Sequence, residues 1–121
     1  MIYIRDHRTL CRFISSIKEQ EAVALDTEFV REGSYEPRLA LVQLATAKGE
    51  VAVVDPFTAG PLDPLFAVLV DAKIEKVVHS GEQDVSILAT RMGKVPGPIF
   101  DTQVAAAFLG YGEKVGLADL V

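Results

Sequence analysis

Two carboxylates stand two residues apart, Asp26 and Glu28, in the stretch "VALDTEFV" at residues 23–30. The rest of that stretch is Val, Ala, Leu, Thr and Phe, the composition of a half-buried β-strand. Side chains of a strand alternate between faces, so positions i and i+2 point the same way. The two acids therefore share one face, where like charges repel and burial of either is costly. Two readings account for them. A strand with one solvated face needs nothing further. Alternatively the pair holds a divalent cation: Mg²⁺ and Mn²⁺ favour hard oxygen ligands, and a cation between two carboxylates removes their repulsion. The metal reading requires a third acid delivered by the fold. Asp84 is the candidate, because it lies in the first turn of a helix that directly follows the strand "KVVH". Sites in open α/β sheets collect beyond the carboxyl ends of parallel strands. Taken alone, Asp84 would simply favour the dipole of its helix.

Other polar residues read as structural. His79 ends the strand "KVVH", and a hydrogen-bonded strand-end histidine is expected rather than a catalytic partner for Asp84. Asp101 in "FDTQ" sits where a strand passes into a helix, the place of a helix cap. Arg31, Arg38 and Lys48 are read as surface charges rather than phosphate contacts, and Cys11 is read as inert, without a partner. Tyr35, in the connection "REGSYEP", could stack on a base or simply pack. No P-loop, zinc-spaced Cys/His set or Ser-His-Asp order is present.

The elements that must position these residues follow from periodicity. "MIYI" is a short strand. Asp6 can cap a helix from His7 to about Gln20, with Leu10, Phe13, Ile14 and Ile17 at helical spacing. The acidic strand at 22–30, "RLALVQLAT" and "VAVVD" form an expected antiparallel meander, with "AKGE" as a turn. The pattern then changes to alternation of helix and strand. Asp63 as N-cap and Pro64 at the first helical position begin one helix. Ser80 and Gln83, in capping-box spacing, begin another that Gly93 ends. "PIFD" and "TQVAAAFLG" supply a further strand and helix, and "GLADLV" the first turns of one more. The expected fold class is α/β: a mixed sheet, three antiparallel strands then parallel ones, with helices on its faces.

Length and composition bound the rest. A chain of 121 residues forms one domain with a real core, and half of its residues are hydrophobic. No apolar run approaches the roughly 18–20 residues of a membrane span, and the N-terminus lacks the apolar stretch of a signal peptide. One cysteine fits a reducing compartment, so a cytoplasmic location is expected. The net charge of −5 argues against a generally basic surface for gripping nucleic acid. It leaves room for a nucleic-acid enzyme whose acidic site is loaded with metal.

Three segments together, "ALDTEFVREGSYEPRLALVQLA", "VVHSGEQDVSIL" and "IFDTQVAAAFLG", resemble the catalytic domains of the ribonuclease D family, within the DEDD group of 3′→5′ exonucleases. The resemblance covers nearly the whole chain, with the segments in the family's order. It implies a ribonuclease H-like fold for residues 1–121 and hydrolysis of single-stranded RNA from its 3′ end, as on a tRNA-like precursor. It also implies two divalent ions, Mg²⁺ or Mn²⁺. Asp26 would bridge both ions, Glu28 would hold the one that activates water, and Asp84 would serve the second.

The resemblance stops short of the family's third motif, Tyr-x-x-x-Asp. Tyr111 is followed four residues later by Val115, and Asp119 is preceded by that same Val115. His79 and Asp84 match the His-x-x-x-x-Asp spacing of a related subgroup, but on the wrong element. The expectation is therefore a C-terminally incomplete domain, weak or inactive as this short chain. Its open apolar face would favour a homo-oligomer. Two alternatives stand beside this reading: a non-catalytic nucleic-acid-binding or partner-completed module of the same fold, and a DNA-directed 3′→5′ exonuclease.

Overall fold

The computed structural model describes residues 1–31, 33 and 36–121. The expectation for Tyr35 lies outside them. Asp6 starts the first helix: its carboxylate accepts the Thr9 amide at 2.8 Å. Helix α1 (His7–Ile17) then buries Leu10, Phe13, Ile14 and Ile17, the stripe that periodicity predicts. It stops at Lys18 rather than at Gln20, because Lys18, Glu19 and Gln20 offer nothing apolar to extend the stripe. Cys11 is not without a neighbour. Its sulfur lies 3.4 Å from Nε2 of His7, one helical turn away.

The strands are β1 (Ile2–Ile4), β2 (Ala22–Val30), β3 (Arg38–Thr46), β4 (Val51–Val54), β5 (Glu75–Val78) and β6 (Ile99–Asp101), in one sheet of order β1-β4-β3-β2-β5-β6. β2, β3 and β4 form the expected antiparallel meander. β1 joins β4 in parallel at one side, and β5 and β6 extend the other side in parallel with β2. This is the mixed α/β architecture that the alternating pattern implies.

Register decides what each face carries. Ile4, Val54, Val42 and Thr27 stand opposite one another across four strands, as do Ala52, Leu44 and Leu25. These side chains are buried, together with the inner faces of α1 and of α2 (Asp63–Leu69) and with Leu88 of α3 (Glu82–Met92). The opposite face carries Tyr3, Val53, Gln43 and Asp26 in one row, and Val51, Ala45, Ala24, Val77 and Phe100 in the next. All of these are half-buried or exposed.

Two helix starts differ from their sequence readings. Leu62, not Asp63, is the N-cap of α2, and Asp63 is already helical with no side-chain cap bond. Pro at the second position fixes φ and so suffices to start the helix. At α3 the capping box of Ser80 and Gln83 does not form. Ser80 adopts a left-handed φ of 54°, and Gly81 is the N-cap. Gly93, at φ 72°, ends α3 as expected.

β5 carries a buried lysine, a residue type that ordinarily stays exposed. Lys76 is fully buried, and its Nζ donates to the carbonyls of Val68 at 3.1 Å and Asp71 at 2.9 Å, and to that of Ile74. The ammonium thus closes the C-terminal end of α2, where carbonyls lack helical partners and positive charge is favourable. Burial pushes its pKa below the ordinary lysine value, and the charge of Asp71 works against that shift.

Candidate active site

Along β2, Val23, Leu25 and Thr27 are buried while Ala24, Asp26 and Glu28 are exposed. Asp26 and Glu28 therefore share the open face, as alternation predicts. Asp26 stands opposite Gln43 and Glu28 opposite Leu41 on β3. Just past Glu28 the register shifts, so Phe29 pairs with Leu39. Such irregularities turn a strand and re-aim the side chains beside them.

The other edge of β2 explains how a third acid comes close. β5 pairs only with Ala22, Val23 and Ala24. Beyond Ala24 no strand among the described residues pairs with that edge, and the start of α3 comes against β2 at Thr27. Asp84, in the first turn of α3, accepts a hydrogen bond from the hydroxyl of Thr27, the residue between the two strand acids. Burial pushes the Asp84 carboxyl above its ordinary value. The Thr27 bond opposes this, and the charges of Asp26 and Asp101 add to it. The structure thus puts Asp84 within electrostatic reach of Asp26. It does not close the three into a ligand set: among the described residues, no group of three or more His, Cys, Asp and Glu side chains is gathered to hold a metal ion. The donor chemistry fits a hard divalent cation, with carboxylate oxygens and two of the acids on one open face. Gathering all three requires Asp84 to turn from Thr27.

The α3 start is held by Asp101, the residue read as a cap. It caps α4 (Thr102–Phe108), accepting the amides of Gln103 at 2.9 Å and Val104 at 3.4 Å. It also accepts the amides of Ser80 at 2.9 Å and Gly81 at 2.8 Å, joining β6 to the turn before α3. Burial works to raise its pKa, but the amides of Gly81, Ser80, Gln103 and Val104 outweigh burial and hold it below the ordinary value. Gly81 has no room for a side chain: a Cβ there would lie 2.6 Å from a methyl of Val78. His79 is tied as expected of a strand-end residue, with Nδ1 2.8 Å from the Thr102 hydroxyl and Nε2 donating to the Val115 carbonyl at 2.9 Å. Both ring nitrogens are engaged, so His79 holds chain rather than substrate. Arg31, Arg38 and Lys48 are exposed, as read. Beside Asp26 and Gln43 a cavity of about 380 Å³ opens, floored by Ala24, Ala45 and Val77. An apolar floor next to carboxylates suits a ring with a charged group attached.

The 3′-5′ exonuclease family matches residues 1–121. The chain belongs to that family. Ribonuclease D of Sphingobium indicum is 46% identical over 120 residues, covering 98% of this chain and 31% of that protein. The crystal structure of Escherichia coli RNase D, an exoribonuclease involved in structured RNA processing, superposes with a TM-score of 0.90 at 36% identity. It covers 98% of this chain and 31% of that one. Trypanosoma brucei RNase D in complex with RNA U12 superposes with a TM-score of 0.74 at 25% identity, over 84% of this chain and 37% of that one. The chain thus spans about a third of the length of the curated relative. Sequence and fold both match the ribonuclease D members of the family, in line with the motif resemblance.

Asp84 carries a prediction for the metal-free protein. A carboxyl whose folded pKa lies above its unfolded value of 3.8 adds stability that is complete below that value. The stability is lost as pH rises through the folded pKa. Asp84→Asn removes the loss while keeping an oxygen for Thr27. The variant is expected to melt higher than the parent at pH 7, with the difference closing as pH falls toward 3.8. Thermal melts across pH check this, and a variant that melts lower at neutral pH would show the Asp84 charge to be stabilising.

Proposed function

We propose that these 121 residues are the nucleotide-hydrolysing part of a 3′→5′ exoribonuclease. One observation carries the reading: in a chain of the exonuclease family, Asp26 and Glu28 occupy one open face at the edge of β2 where Asp84 arrives. The substrate is the 3′ end of single-stranded RNA, as on a tRNA-like precursor, and the compartment is the cytoplasm. Asp26, Glu28 and Asp84 would hold Mg²⁺ or Mn²⁺, two ions in the complete site. Bound there, such ions supply charge neutralisation at the phosphate and a lowered pKa of water. The chain's own residues do the rest. Asp26 and Glu28 would supply, from one open face, carboxylate oxygens for the ions that neutralise the phosphate. The cavity floored by Ala24, Ala45 and Val77 takes the terminal base or sugar. Asp101 and Gly81 fix the turn that sets Asp84.

A second reading, a nucleic-acid-binding module without catalysis, is favoured by the attachment of Asp84 to Thr27. A chimera separates the two. These 121 residues replace the matched third of Escherichia coli RNase D, and a 5′-labelled RNA oligomer is followed with Mn²⁺ or Mg²⁺. Stepwise shortening from the 3′ end is expected, and DNA of the same sequence tests sugar preference. The 121 residues alone, which hold no Tyr-x-x-x-Asp, are expected to act very slowly or not at all. A folded chimera without metal-dependent shortening would favour the binding module.

A further inference from the structure

We propose that Tyr3 and Phe57, each paired with an arginine, form a stacking track that leads single-stranded RNA across the open face of the sheet to Asp26 and Glu28. The proposal rests on the exonuclease reading and adds to it the path of the strand. Both rings are 61% exposed. The guanidinium of Arg5 lies 5.7 Å from the centre of the Tyr3 ring, and that of Arg38 lies 5.6 Å from the centre of the Phe57 ring. Single exposed aromatics are common on protein surfaces. Here two of them, with Arg5, Leu41 and Val53, line one groove of about 390 Å³.

Register connects the groove to the acids. Tyr3 stands opposite Val53, Val53 opposite Gln43, and Gln43 opposite Asp26. Leu41, in the groove wall, stands opposite Glu28. All lie on the open face. Three strand spacings put the Tyr3 backbone about 14 Å from that of Asp26. A strand whose last phosphate is at Asp26 and Glu28 can therefore reach Tyr3 within a few nucleotides.

Backbone hydrogen bonds fix the chain on both sides of the groove. Tyr3 sits on β1, paired in the sheet. Phe57 lies within a turn in which the Asp55 carboxylate accepts the Phe57 amide at 2.9 Å and the Asp55 carbonyl accepts the amides of Thr58 and Ala59. The backbone under both rings is thus tied, so stacking need not order the chain that carries them. Aromatic faces accept any base, and arginines beside them meet the phosphates. The Asp55 carboxylate also lines the groove, with its Oδ1 engaged by the Phe57 amide, and Arg38 reaches the Phe57 ring from outside that lining. In a chain of net charge −5, cations paired with exposed rings mark where a polyanion with flat bases is accepted. An acidic peptide would use the arginines but not both ring faces.

The test uses a 5′-fluorescein single-stranded RNA of ten nucleotides and anisotropy with the 121-residue chain in the absence of divalent metal. Tyr3→Ser and Phe57→Ser are each expected to weaken binding about tenfold. Tyr3→Phe and Phe57→Tyr, which keep a ring, should bind as the parent does. Arg5→Glu and Arg38→Glu should weaken binding and reduce its salt dependence. Circular dichroism confirms the fold of each variant. If one ring variant fails to fold, the other ring and the two arginine variants carry the test. In the chimera, the ring variants should raise KM for the ten-nucleotide RNA and leave cleavage of a dinucleotide unchanged, because a dinucleotide spans only the acids. Unchanged RNA binding by folded ring variants would overturn the track, and so would losses confined to binding of a poly-glutamate peptide. Loss of dinucleotide cleavage in the ring variants would also count against it, as an effect on the site itself. Should the chimera cleave neither RNA, the exonuclease reading fails instead, and the binding measurements still decide the track.

Discussion

Asp26→Asn in the RNase D chimera is expected to lower RNA shortening by about 10³-fold or more, with Glu28→Gln close behind and neither variant less stable than its parent. A factor of 10³ is about 4 kcal/mol of transition-state stabilisation. That size is reasonable for one carboxylate, because loss of a single preorganised group facing developing charge costs 10²–10³-fold. The isosteric change keeps shape and exposure, so packing is not the variable. Asp26 accepts the amide of Thr27 through Oδ1, and an asparagine oxygen can do the same. What is lost is the formal charge. Stability should hold or rise, since two like charges on one face of β2 repel and each substitution removes one of them. Initial rates on the 5′-labelled oligomer, together with a thermal melt of each variant, give both readouts. Activity within tenfold of the parent in Asp26→Asn would remove the strand acids from the chemistry, though not from the family. Loss of activity together with a lowered melting temperature would reassign the effect to folding.

The strand acids were legible because alternation is a local rule. Val23, Leu25 and Thr27 point inward, so Asp26 and Glu28 must point outward whatever the rest of the chain does. The approach of Asp84 was legible only as topology, a helix start after a parallel strand. Its contact was not. Thr27 reads as an unremarkable inward residue, and nothing local says that β5 leaves β2 at Ala24 and opens the edge for α3. The start of α3 shows the same limit from the other side. Ser80 and Gln83 have capping-box spacing, but the carboxylate of Asp101, twenty residues on, takes the amides of Ser80 and Gly81. Ser80 is then turned into a left-handed conformation and cannot cap. A charged acceptor delivered by tertiary structure outcompetes a neutral local one. Helix α1 and the cap that Asp101 gives α4 behaved as read, because those partners are only a few residues away.

Lys76→Met is expected to destabilise the fold by about 3 kcal/mol, or roughly 10 °C in melting temperature for a domain of this size. A signal for its burial exists in the sequence: Ile74, Lys76 and Val78 alternate, and the two apolar members fix that side as inward. The rule that lysines stay exposed hides it. Met fills nearly the same volume, so the cost is not a cavity. It comes from the carbonyls of Val68, Asp71 and Ile74, which lose a charged donor at the end of α2. Two of them keep one backbone donor each: Val68 from the Asp71 amide and Asp71 from the Ile74 amide. That retention limits the loss to about half of what three orphaned acceptors would cost. The carbonyls cannot swing into water, because they belong to the turn that carries the chain from α2 into β5. Replacing a buried ion pair with apolar residues is often neutral, since both charges leave together. Here only the donor leaves and fixed backbone acceptors stay behind. Denaturant melts of Lys76→Met and the parent measure the difference. A loss under 1 kcal/mol would mean that water reaches those carbonyls once the lysine is gone. The turn from α2 into β5 would then be looser than its hydrogen bonds imply.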